Sequence, residues 1–216
     1  MKPLDELIDN CDPGIKRVQE YIERAKNQCI VLPPSNARDV VLVNTQVTTR
    51  STMGAIVYET GGILIDHGWL RFLGSGNSKL NRSLPEWNVN KANGFYLVAD
   101  DAAGGFFAIN GGALGSDVKN IYYWAPDSFE WEPLEMGYTS FFHWSLIGNL
   151  EKFYTGLRWQ NWTDDVSTLP GDRCYSFYPF LWTEQGSVEK SYRNTVPVEE
   201  AFNLKVDILD QLSKKT

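Results

Sequence analysis

Cysteine and histidine are scarce in this chain, with three Cys and two His among 216 residues. Cys11, Cys29 and Cys174 form no C-x-x-C pair, and His67 and His143 form no His-x-x-His or His-Glu-x-x-His pattern, so nothing points to a redox dithiol or a zinc site. An odd, sparse set of thiols suits a reducing compartment, and a cytoplasmic setting is expected. Basic runs are missing beyond Lys214-Lys215, and 20 Lys and Arg stand against 27 Asp and Glu for a net charge of -7. Nucleic-acid binding needs a basic face, so nucleic acid is not an expected partner. Long apolar runs are missing too: nothing approaches the roughly 20 residues needed to cross a bilayer. The opening MKPLDELIDN carries charge but no apolar core and does not read as a signal peptide. The sequons Asn81-Arg82-Ser83 and Asn161-Trp162-Thr163 accordingly read as chance matches. Phosphate-loop and nucleophile motifs fail as well. Gly74 to Lys79 has neither a GK[ST] ending nor a third spaced glycine, no G-x-S-x-G occurs, and Ser187 to Lys190 matches S-x-x-K without that motif's partners. The sequence calls for no cofactor and no metal.

What is present is an ordinary globular composition, 43% hydrophobic and 22% charged, with aromatics at 13% that favour strands. Ile15, Val18, Ile22 and Ala25 share a helical face over residues 14 to 28, with Asp12 read as its N-cap and Pro13 as its first position. The β-branched run 40 to 47, VVLVNTQV, reads as a mostly buried strand. Residues 51 to 60 fit helix or strand; as a helix, Thr52 caps it and Gly61-Gly62 stops it. GILIDHGWLRFLG reads as two strands, or one bent at Gly68, and the polar stretch 74 to 94 as a long exposed loop. FYLVAD (95 to 100), FFAING (106 to 111), VKNIYYW (118 to 124) and FEWEPL (129 to 134), joined by short turns, predict an antiparallel meander. Helical spacing returns over 138 to 154, with Phe141, Trp144, Leu150 and Phe153 facing the core, and again over 196 to 212. The aromatic segment between has no clean period. The expected fold class is α+β: a meander sheet flanked by N-terminal and central helices, with an aromatic-rich C-terminal extension.

In this order of elements, Val98-Ala99-Asp100-Asp101, the turn Gly104-Gly105, the strand Phe106 to Gly111 and Tyr122-Tyr123-Trp124 before an acidic turn resemble the SUKH superfamily. The resemblance is strongest over 51 to 155, and 157 to 216 form a C-terminal elaboration of what reads as one domain over 1 to 216. As a whole the chain looks closest to an uncharacterised bacterial family, a domain of unknown function, carrying a GGILIDHGWLRFLGSG segment. The resemblance implies a binder rather than an enzyme, since many members are immunity proteins that neutralise bacterial toxins; a fold alone names no partner.

Candidate interface residues follow from charge and aromatic placement. Asp127, Glu130, Glu132 and Glu135 lie in DSFEWEPLE around Trp131 without a basic neighbour, a surface suited to steering a basic toxin domain. Trp87, in polar LPEWNVN, is expected at the surface. Trp159 and Trp162, three apart in LRWQNWTDD, stack on sugar rings or anchor an interface if displayed, and cover the C-terminal element if packed, the preferred outcome. Asp66-His67 reads as a bend and Asp100-Asp101 as an Asx turn. The alternative function is a hydrolase or carbohydrate-binding protein with Asp66, His67, Asp100 or Asp101 and an exposed Trp in one cleft; a homo-oligomer joined through the C-terminal aromatics stays open as a third reading.

Overall fold

A computed structural model describes residues 1 to 91 and 93 to 214. Seven strands run in sequence order through one antiparallel sheet: β1 (Cys29–Leu32), β2 (Gly62–Ile65), β3 (Leu70–Leu73), β4 (Phe95–Asp101), β5 (Phe106–Asn110), β6 (Asn120–Trp124) and β7 (Glu132–Gly137). The α+β expectation is met, and the meander is longer than the four predicted strands. β7 starts three residues later than expected, so the acidic stretch is half turn and half edge strand. β8 (Arg173–Tyr178) and β9 (Tyr192–Pro197) form a separate two-stranded ladder.

The N-terminal helices are α1 (Leu4–Leu7), α2 (Ile15–Glu23), α3 (Arg38–Thr45) and α4 (Thr52–Glu59). α2 is capped at Gly14, not Asp12. The Gly14 amide bonds the Thr49 carbonyl at 2.8 Å, and a Cβ there would lie 2.6 Å from the Arg50 carbonyl oxygen, so glycine is needed for the close approach. α3 occupies VVLVNTQV, which the strand reading misassigned. Val41 and Leu42 are both buried while Val40 is 62% exposed, a helical rather than an alternating pattern, and Gln46 ends the helix in a left-handed conformation. Packing on α1 and α4 overrides the strand preference of the valines. α4 settles the ambiguous segment as helix, capped by Ser51, whose hydroxyl accepts from the Gly54 amide at 2.9 Å.

α5 (Leu84–Asn88) lies inside the stretch read as an exposed loop. Ser83 and Glu86 form a capping box, and Asn88 bonds both the amide and the carbonyl of Leu97, tying this segment to β4. After β7 come α6 (Tyr138–Ile147), α7 (Leu150–Phe153) and α8 (Trp162–Ser167), and α9 (Val198–Ser213) closes the chain. Phe141 and Leu150 are buried as expected, with Trp144 and Phe153 packed at the core's edge. Phe202 of α9 meets Phe106 and Trp124 at 5.1 and 5.8 Å between ring centres, which seats the C-terminal helix on the meander. Among the described residues no helix is long and apolar enough to cross a membrane.

Candidate functional site

The connection from β6 to β7 carries the predicted acidic surface. Asp127, Glu130, Glu132 and Glu135 are all exposed, and none forms an ion pair among the described residues. Trp131 in their midst is half-buried, its ring 5.2 Å from Trp124 and 5.5 Å from Phe95, so its body belongs to the sheet's packing. β7 is a sheet edge with its outer side unpaired by strand.

Trp87 requires a correction: it is only 4% exposed. Its ring lies near Phe106 and Phe202, with the Arg82 and Lys91 cations each 4.7 Å from its centre. The Ser83-x-x-Glu86 capping signal just before it was the clue to a packed helix. Trp159 is buried against Tyr175 and Phe177, its indole N–H donating to Asp165 Oδ2 at 2.7 Å, as the packed reading had it. Trp162 is half-buried.

Trp162 and Trp159 help line an open cleft of about 800 Å³ between the β2–β3 turn, the α2–β1 connection and the segment from α6 to α8. Asp66, His67 and Gly68 take positive φ in succession (54°, 60° and 88°), which turns Asp66 toward the cleft and leaves His67 exposed outside its lining. Asp66 Oδ2 accepts from Arg158 Nη2 at 2.5 Å. The Arg158 guanidinium sits over Trp162 at 4.0 Å, Trp69 at 4.8 Å and Tyr154 at 5.0 Å; Tyr154 and Trp162 are four residues to either side, but Trp69 and Asp66 come from the distant β2–β3 region, and sequence reading missed the assembled cation. Arg158 Nε and the Tyr154 hydroxyl are buried without a hydrogen-bond partner. Burial, with the Asp101 charge adding to it, pushes the Tyr154 phenol well above its ordinary range, so it stays a neutral O–H.

Asp100 and Asp101 part company, and the Asx-turn reading holds for one only. Asp101 Oδ1 accepts from the amides of Ala103 and Gly105, each at 2.9 Å, and Oδ2 from the Tyr123 hydroxyl at 2.7 Å. A Cβ on Gly105 would fall 2.3 Å from that carboxylate, so the turn needs glycine there. Burial raises the Asp101 carboxyl above the usual range despite these bonds. Asp100 is instead the centre of a buried ion cluster. It faces Arg71 across the β3–β4 ladder, accepts from Arg71 Nε at 2.6 Å, and lies 2.8 Å from Arg82 Nη1. Arg71 also donates to the carbonyls of Arg173 and Asp101, and Arg82 to that of Gly171, fastening the C-terminal segment to the meander. Nearby, Lys205 is buried under Trp124, donates to the Ala125 carbonyl at 2.5 Å, and is lowered by burial to about 7. His143 stacks on Tyr21 at 4.4 Å between α6 and α2, a packing role.

Residues 4 to 201 match the model of a family described as "Protein of unknown function DUF2625". The chain is 37% identical over 218 residues to "Putative uncharacterized protein YbfG" of Escherichia coli, covering 99% of this chain and 100% of that protein. It is 41% identical over 211 residues to an "Uncharacterized protein" of Haemophilus influenzae, covering 94% of this chain and 92% of that protein.

Proposed function

The chain belongs to the DUF2625 family, and from that premise we propose that it is a partner-binding protein of the SUKH kind, working without catalysis and recognising a basic protein such as a toxin domain. The observation that carries this reading is the β6–β7 turn and edge, where Asp127, Glu130, Glu132 and Glu135 stand exposed and unpaired. Unpaired carboxylates on one edge raise the rate of encounter with a basic partner. The half-buried Trp131 gives that edge a rigid apolar floor. A glycoside hydrolase, by contrast, works in most families with two carboxyl groups flanking one bond. Asp66 is held by Arg158, Asp100 by Arg71 and Arg82, and Asp101 by its own turn and Tyr123. The rival cleft reading keeps Asp66 and Trp162 in one cavity, with His67 outside it.

The test is capture from bacterial lysate at low and high salt, comparing the native chain with a variant carrying D127N, E130Q, E132Q and E135Q. A single stoichiometric basic protein is expected on the native chain at low salt, reduced at least tenfold on the variant and unaffected by neutralising Glu20 and Glu23 of α2. Capture that survives the four-residue change, or absence of any stoichiometric partner, ends this reading.

A further inference from the structure

Independently of the acidic edge, we infer that the cleft at Arg158 is a binding site for a small molecule that carries a carboxylate on a ring-shaped body. The Arg158 side chain is 10% exposed and gives one ion-pair contact, Nη2 to Asp66. A guanidinium has five N–H donors in a planar fork. Nη1 has no partner among the described residues, and Nε is buried and unpaired. The rings of Trp162, Trp69 and Tyr154 meet the cation and so offset its charge, but a ring face does not accept the in-plane N–H bonds. Tyr154 also lines the cleft, and its hydroxyl is a second buried donor without an acceptor. Buried donors left in this state cost about 1–3 kcal/mol each. Nε and the hydroxyl are closed off, so the part of the guanidinium left for a ligand is Nη1 with the Nη2 beside it, and a planar carboxylate is the acceptor that fits that pair.

Charge at the cleft is balanced and argues against a general anion trap. Lys26 at the mouth and Arg158 at the floor are offset by Asp66 and Glu151. Selection would rest on the fork's geometry and on the indoles of Trp159 and Trp162, which suit a ring. The cavity, about 800 Å³, is of small-molecule size. Asp66 acts as a positioning residue: it holds the guanidinium in place and competes with the incoming carboxylate for it.

Two matched pairs of probes test this: benzoate with benzamide, and glucuronate with glucuronamide. The readout is the indole N–H resonances of Trp159 and Trp162, assigned by single Trp→Phe variants. At least one acid is expected to shift both resonances saturably, its amide to leave them in place, and R158Q to abolish the response. D66N keeps a residue type that tolerates positive φ and removes the competing charge, so the acid is expected to bind roughly threefold to tenfold more tightly. Failure of both acids, equal shifts from acid and amide, or binding to D66N that is no tighter than to the native chain overturns the inference. Should R158Q not fold by thermal melting, D66N decides alone, since a merely structural ion pair predicts no tightening. None of these probes reads the acidic edge, so failure here leaves that proposal standing.

Discussion

Two arginine–aspartate pairs involve β3 and the turn that leads into it, and they differ in how completely the surrounding chain uses them. Arg71 and Asp100 are direct cross-strand partners with side chains 3% and 0% exposed, and every nitrogen of Arg71 has an acceptor in Asp100, Arg173 or Asp101. Arg158 and Asp66 come from a loop and a turn, touch once, and border an open cleft with donors to spare. The same two residue types thus serve as a fastening in one place and as a recognition surface in the other. Residue type does not separate the two; the number of carbonyls brought to the guanidinium does.

Removing the carboxylates is the sharpest way to break that contrast. Asp100→Ala leaves two buried cations without a counter-ion and is expected to cost about 3–5 kcal/mol. Asp66→Ala leaves one such cation, but at an open cleft and stacked on three rings, and is expected to cost less, about 1–3 kcal/mol. Urea unfolding of both variants measures the difference, and equal losses would erase the distinction drawn here.

Lys205 offers a pH test of the closed region. Its amine is lowered to about 7 in the folded chain, while an unfolded lysine titrates near 10.4. Between those values the unfolded state binds more protons, so stability rises with pH, by at most about 1.4 kcal/mol per pH unit. The gain should appear between pH 7 and 8.5. Above that, the buried thiols oppose it, since burial raises Cys29 to about 11 and Cys174 to about 12 and their unfolded forms lose protons first. Urea midpoints should climb over this window in the native chain and stay flat in Lys205→Met.

The smallest expected effect is at the cap of α5. Ser83→Ala removes one half of the capping box and should lower stability by about 1 kcal/mol, with the emission of buried Trp87 moving to the red before global unfolding. An unchanged melting curve would mean that the packing of Trp87, not the cap, holds this helix.

The β4–β5–β6 hairpins were legible because Gly-containing turns separate runs of β-branched and aromatic residues, and local chemistry there agrees with the final fold. α9 was legible for the same reason, through its amphipathic spacing. α3 was not, because its valines prefer strands and only packing against neighbouring helices makes them helical. α5 hid within polar residues whose side chains bond backbone rather than solvent: Asn88 is spent on Leu84 and Leu97. Of the candidate residues, the acidic group lies at the surface and Trp159 is packed, both as read, whereas Trp87 proved buried.

By itself the chain's order of residues determined the α+β class, the central hairpins and the exposed acids, because turns, alternation and charge act over a few residues. Tertiary structure alone decided which carboxylates are neutralised and which arginine borders an open cleft. Asp66 and Arg158 lie 92 positions apart and Arg71 and Asp100 lie 29 apart, so only the closing of the sheet and the docking of the C-terminal segment bring each pair together.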